Sequence, residues 1–474
     1  MEISEVNYSY MINSCDIFRI DSFYYAKDFL NDENLLSQFN TVDLHETATL
    51  RSFGAYSLNN EVEYQSEGIP FIRCVNMKSG KIDFSDLIYI DNTAHHLLWK
   101  SEISPESVLL SMSGSVGNVA IALPSWNYPM NSNQDIAKIV FNQKYNPYIA
   151  YLFFMSKFGQ NFMTREARGS VQQHVYLSQI ETIKMPIFGE TLCNQLELVV
   201  KSAFDTDSQS TVTYTAAEQL LLTALDMQNF TPSAEPIAVK SLSESFGTSG
   251  RLDSEYYQSK YDELLNKLSK YNLRSLGGNN GIVTIKKSIE PGSNYYSDEG
   301  IPFVRVSDIT KYGISAPNIK IPHNIFGNIK GLYPRENTIL LSKDGSVGIA
   351  YKMERDEQFI TSGALLHLEV RDKNILPDYL TLVLNSIVVQ LQAERDTGGS
   401  IIQHWKPSEI EEMVIPVLDN ATQTQIAELV QSSFALRRES EQLLESAKRA
   451  VEVAIEQGED AAMAMLRIKG GSGS

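Results

Sequence analysis

GIPFIRC at residues 68–74 and GIPFVRV at residues 300–306 are two copies of one stretch, 232 positions apart. The register holds outward from both. Upstream, Arg19-Ile20-Asp21-Ser22 followed by Tyr24-Tyr25 returns as Arg251-Leu252-Asp253-Ser254 followed by Tyr256-Tyr257. Downstream, Gly114-Ser115-Val116-Gly117 returns as Gly345-Ser346-Val347-Gly348, and Gly169-Ser170 with Gln173-His174 returns as Gly399-Ser400 with Gln403-His404. Met185-Pro186-Ile187 pairs with Ile415-Pro416-Val417, and the offset drifts only from 232 to 230. A period this long lies far beyond that of a solenoid, so each copy is expected to fold round its own core.

Within each copy the Gly-Ser-Val-Gly stretch sits between two β-rich runs, 107–111 with 119–123 and 337–342 with 349–353, which is a hairpin signal. Apolar helices are expected from about Pro147 to Ala167 and from about Pro377 to Arg395, each opening on proline, which suits a first helical turn. Each copy then ends in a long stretch free of proline and glycine, Leu192 to Met227 and Thr422 to Gln457. With Leu196 at heptad position a, Val199, Ala203, Ala217, Leu220, Ala224 and Met227 fall on a or d. In the second stretch Ile426, Leu429, Leu436, Leu443, Ala447, Ala450 and Ala454 do the same. Thr206, Ser210, Thr213, Ser433 and Ser440 interrupt that seam. Phe204 to Glu218 spans one heptad more than Phe434 to Glu441, so the first helix is expected to be the longer by seven residues with its apolar phase kept.

The expected fold class is therefore α+β: two homologous mixed α/β domains in tandem, each followed by a long helix, the helices pairing as an antiparallel coiled coil. The expected boundaries are 1–190 for the first domain, 191–247 for the first helix and linker, 248–419 for the second domain and 420–469 for the second helix. Residues 470–474 read as an appended Gly/Ser linker. No run approaches the ~20 apolar residues of a membrane span, the first residues are acidic and polar, and the three cysteines have no metal-ligand spacing. A cytoplasmic protein without a metal site is expected. The net charge of −18, with three basic against eleven acidic residues up to Ser66, argues against a chain that grips nucleic acid alone.

The order of these motifs, repeated with intervening helices, resembles the specificity subunit of a type I restriction-modification system over nearly the whole chain. That resemblance implies a non-catalytic subunit whose two target-recognition domains each read one half of a bipartite site in double-stranded DNA. The helices set the unread gap and dock two methyltransferase (modification) subunits, with two restriction subunits as optional further partners. Cofactors would belong to those partners, S-adenosylmethionine for methylation and ATP with Mg²⁺ for restriction, and none to this chain. No phosphate-binding loop or dinucleotide fingerprint is present. Asn146-Pro147-Tyr148 lacks the second proline of an adenine methyltransferase motif and reads as a helix start.

Candidate DNA-binding residues follow from both lines. Ser115 and Ser346 lie in turns whose backbone N–H groups and hydroxyls suit a phosphate, with Lys343 adding charge; a turn alone is the plainer reading. Arg73 and Arg305, each following an apolar strand, either contact DNA or form buried ion pairs within their domains. Gln173, His174, Gln403 and His404 offer base-edge hydrogen bonding but are shared by both copies. Two domains reading different half-sites must differ where they touch bases, which singles out Asn76 and Lys78 against Asp308 and Lys311, Asn118 against Ile349, and Val175-Tyr176 against Trp405-Lys406. Arg165, Arg168 and Arg395, at helix ends, are candidate phosphate contacts. An alternative from another class is a coiled-coil protein-interaction adaptor in a defence complex that reads no bases, which the acidic charge favours.

Overall fold

A computed structural model describes residues 4–13, 19–52, 62–169, 173–235, 237–323, 329–397 and 403–470. The chain divides into two compact units that do not follow chain order. Residues 1–205 and 439–474 form one, and residues 206–438 the other.

In the first unit β1 (Ala48–Arg51), β2 (Val108–Ser111), β3 (Val119–Ile121) and β4 (Ile136–Phe141) make an antiparallel sheet in the order β1-β4-β2-β3. Helix α1 (Pro147–Met155) packs on it. Asn146 accepts a hydrogen bond from Tyr148 N (2.9 Å), which makes it the N-cap, and Pro147 occupies the first turn. Every residue from Tyr148 to Phe154 is buried, so this most apolar stretch of the chain is a core helix. Helix α2 (Lys157–Glu166) follows at once, and α3 (Glu190–Ala224) leaves the unit at Thr206.

GIPFIRC supplies the middle strand of a smaller sheet. Ile69–Ile72 pairs antiparallel with Ile88–Ile90 and parallel with Asn131–Ser132. Gly68 has φ 131°, and a Cβ there would lie 2.6 Å from the Ile90 carbonyl oxygen, so only glycine starts this strand.

The second unit repeats the plan. β5 (Val283–Lys287), β6 (Ile339–Ser342), β7 (Ala350–Lys352) and β8 (Leu365–Val370) pair antiparallel in the order β5-β8-β6-β7. Helix α4 (Pro377–Asn385) packs against it and α5 (Ile387–Asp396) against α4, and Ile301–Val304 is again the middle strand of a three-stranded sheet. A Cβ on Gly300 would meet the Ile321 carbonyl oxygen at 2.2 Å.

The last long helix, α6 (Asn420–Gln457), runs antiparallel to α3. In the second unit Tyr214, Ala217 and Leu221 share a core with Ile426 and Val430. In the first unit Leu196, Val200 and Ala203 share one with Leu444, Ala447, Val451 and Ala454. The buried seam positions step by four and three, with one step of seven in each helix: 196, 200, 203, 210, 214, 217, 221 and 426, 430, 433, 440, 444, 447, 451, 454. Leu196, Ala203, Ala217, Met227, Ile426, Ala447, Ala450 and Ala454 are buried as expected, but Val200, Leu221, Val430 and Leu444 take the places expected for Val199, Leu220, Leu429 and Leu443, and Ala224 and Leu436 are only partly buried.

The serines expected to interrupt the seam belong to it. Ser210 Oγ donates to the Ser433 carbonyl (2.9 Å), and Ser433 Oγ donates to the Ser210 carbonyl (2.8 Å). Two corrections concern length. α3 has 35 residues and α6 has 38, so the first helix is not the longer. The seven-residue difference lies before the serine pair: Ser210 stands 20 residues after Glu190, and Ser433 stands 13 after Asn420. The second helix also ends at Gln457; Gly458, at φ 95°, breaks it from a separate helix at Glu459–Gly470.

Candidate nucleic-acid interface

Each Gly-Ser-Val-Gly stretch is the turn of the expected hairpin, β2 to β3 and β6 to β7. All four glycines have positive φ, 71° and 88° in the first copy and 75° and 85° in the second. At the trailing glycine space is also short, since a Cβ on Gly117 would lie 2.9 Å from Gln160 Oε1 and one on Gly348 2.9 Å from Gln390 Nε2. Those glutamines donate to the Gly117 and Gly348 carbonyls at 2.8 and 2.9 Å, fixing the turn to α2 and α5. Ser115 and Ser346 are left exposed at the tips.

The Gln-His pairs lie along the base of these turns. Val175 N donates to the Met112 carbonyl (2.9 Å), and Trp405 N donates to the Lys343 carbonyl (2.8 Å). Gln173 and Gln403 are exposed. The His174 ring meets Tyr176 edge-on at 4.6 Å, and His404 Nδ1 lies 2.8 Å from Asp344 Oδ1. Next to His174 an open cleft of about 640 Å³ is lined by Ser113, Gln134, Asp135, Tyr176 and Ser178. Burial pushes the Asp135 carboxyl above the usual carboxylate range, and the nearby His174 partly offsets that.

The other candidate residues have their polar groups engaged within their own domains. Asn76 is 2% exposed; it accepts from Arg73 N (2.9 Å) and donates to the Asp86 carbonyl (2.9 Å), so it leaves no edge for a base. Asp308 occupies the same place, accepting from Arg305 N at 2.8 Å. Arg73 pairs with Asp86 (3.4 Å) and Arg305 with Asp308 (3.7 Å), but both arginines are half-exposed, so neither pair is the buried one expected as the alternative to DNA contact. Lys78 pairs with Asp83 (3.2 Å), and Asn118 Nδ2 donates to the Met77 carbonyl (2.8 Å). Lys311 pairs with Glu218 of α3 (2.8 Å) and lies over the Tyr214 ring.

Arg165 and Arg395, expected at phosphates, instead complete a duplicated sandwich. Arg19 and Arg165 cover the Tyr24 ring at 4.3 and 4.1 Å, and Arg251 and Arg395 cover Tyr256 at 4.3 and 5.3 Å. Arg19 Nη1 donates to the Arg165 carbonyl (3.1 Å), and Arg251 Nη1 donates to that of Asp396 (3.2 Å). The opening Arg-x-Asp-Ser-x-Tyr-Tyr of each copy is therefore a clasp on the C-terminus of α2 or α5. Arg168 bridges backbone to backbone with His174, and its buried Nε has no acceptor among the described residues.

Trp405 and Val175 are buried, whereas Tyr176 and Lys406, one residue on, face outward. Lys343 pairs with Asp344, and Lys406 pairs with Glu409 (2.9 Å). Ser170, Gly399 and Ser400 lie outside the described residues. Asp135, Gln134 and Asp344 were missed by the sequence reading because none repeats between the copies. Asp43, His45 and Glu46 bring ligand atoms within 4.8 Å of one another, but two of the three are exposed.

Two stretches of the chain, residues 37–187 and 277–446, match the family model of the type I restriction modification DNA specificity domain. Together they exceed half of the chain. The chain belongs to this family. It is a DNA-recognition subunit, and the tandem arrangement of two such domains is the one the repeat foretold. The S subunit of a type I restriction-modification system from M. genitalium is similar over 90% of this chain and 96% of that one, with 13% identity and a TM-score of 0.36. The HsdS subunit from Thermoanaerobacter tengcongensis is similar over 89% of this chain and 97% of that one, with 16% identity and a TM-score of 0.29. No curated protein matches. Among the described residues no helix is long and apolar enough to cross a membrane.

Proposed function

We propose that each repeat of this specificity subunit reads one half of a bipartite DNA site with the surface formed by its Gly-Ser-Val-Gly turn and Gln-His strand, while α3 and α6 fix the gap between the halves. The supporting observation is that one geometry is built twice on matched scaffolds while the exposed side chains around it differ. Shared parts suit DNA positioning, and differing parts suit sequence reading.

The chain itself carries out no chemistry in this reading. Two modification subunits dock on it and bring S-adenosylmethionine; restriction subunits bring ATP and Mg²⁺, all in the cytoplasm. The −18 charge fits a subunit whose partners supply most of the phosphate neutralisation. Calorimetry on the purified chain is expected to detect no binding of S-adenosylmethionine or ATP. Micromolar binding of either would contradict the division of labour.

A further inference from the structure

Backbone hydrogen bonds give an exact residue correspondence between the two reading surfaces. Met112 N donates to the Asp135 carbonyl (2.7 Å), as Lys343 N donates to that of Ala364 (2.9 Å). Val175 N donates to the Met112 carbonyl and Trp405 N to the Lys343 carbonyl, so Tyr176 corresponds to Lys406. At matched positions the first domain thus carries a carboxylate and a tyrosine, and the second an alanine and a lysine. Asp135 thus gives the first surface an acceptor where the second has Ala364, and Lys406 gives the second surface a cation where the first has Tyr176.

We infer that the two surfaces read opposite base edges: Asp135 accepts a hydrogen bond from the N4 amino group of a cytosine in one half-site, and Lys406 donates to O6 or N7 of a guanine in the other. This rests on the proposed reading that both surfaces face DNA.

The chemistry selects these bases. In the major groove cytosine offers one donor, whereas adenine sets its N7 acceptor beside the amino group, where it repels a carboxylate. Guanine offers two adjacent acceptors to a cation. Asp135 is placed to act: it lines the open cleft beside His174 and Tyr176, and its only side-chain donor among the described residues is Asn133 Nδ2 at 3.3 Å. The Lys406 side chain is 71% exposed, so water screens its pair with Glu409, which caps the helix Pro407–Glu412 through the Lys406 backbone N–H and stays in place when the ammonium swings to a base. Lys343 is held by Asp344, which also faces His404, so Lys343 positions the surface while Lys406 reaches out.

The test uses the assembled complex with its modification subunits and competition binding on duplexes carrying its methylated site. N4-methylcytosine places a methyl group where the major-groove donor was, and 7-deazaguanine removes N7. In the wild type, N4-methylcytosine at one position of one half-site and 7-deazaguanine at one position of the other should each weaken binding about tenfold. Asp135→Asn should remove the first sensitivity and shift that position from cytosine towards adenine, which an amide reads through N6 and N7. Lys406→Met should remove only the second. Variants that assemble but keep both sensitivities, or that lose discrimination at every position together, would overturn the inference. A wild-type complex with no bipartite site would instead strike at the proposed function beneath it.

Discussion

Lys138 and His367 are single residues whose place in the fold no motif announces. Both occupy the third position of their strands, β4 and β8, and both are buried. Lys138 Nζ donates to Ser132 Oγ (2.9 Å), and His367 Nε2 lies 2.8 Å from Thr361 Oγ1, so the two copies keep one buried polar pair with different chemistry. Burial lowers the pKa of Lys138 to about 7 and that of His367 to about 4. For His367 the folded value lies below the ordinary 6.5, so the folded state binds fewer protons and stability falls as pH drops from 6.5 towards 4. His367→Gln keeps a hydrogen-bonding side chain without the proton. Between pH 8 and pH 5, urea unfolding of the second repeat should cost the wild type about 2 kcal/mol more than this variant; equal losses would contradict the assignment. At this scale the sequence was legible where residues repeat, as with the positive-φ glycines of the turns. It was not legible at Arg165 and Arg395, whose partners Tyr24 and Tyr256 come from distant parts of the chain, nor at Asn76, which bonds Arg73 and Asp86 within a local turn, nor at Trp405, which the core buries.

Among the elements, the paired helices carry the clearest sequence signal and the most informative error. Heptad spacing identified most of the buried positions, but Val199, Leu220, Ala224, Leu429, Leu436 and Leu443 are only partly buried, because hydrophobicity alone does not distinguish a seam residue from its flank. Ser210 and Ser433 looked like interruptions, yet their small size lets the helices approach and their hydroxyls bond across the crossing. A heptad deletion between Phe204 and Glu218 keeps the seam on the same face and shortens the helix by about 10 Å. The shortened chain should assemble and methylate a site with both half-sites unchanged and a different number of unread bases, each step being ~3.4 Å. Deleting five residues instead turns the following segment by about 150°, and assembly should fail. If both deletions preserve the original gap, α3 is not a spacer.

At the scale of the whole molecule, the duplication was readable from GIPFIRC and GIPFVRV alone, and the family match follows the same two halves. The compact units were less legible, since each draws on both long helices and no stretch of sequence marks Asp205 or Arg438 as a boundary. The excess of acidic residues predicts that the lone chain binds DNA weakly and that its modification partner creates tight, site-specific binding. Nanomolar, sequence-specific binding by the lone chain in a mobility-shift titration would contradict this. The most direct test of the central claim is to sequence modified bases in DNA from cells lacking other methyltransferases and producing this chain with its modification subunit. Two short fixed blocks separated by a constant number of unspecified bases are predicted. A single contiguous motif, or methylation that persists unchanged without this chain, would contradict a subunit built twice to read DNA twice.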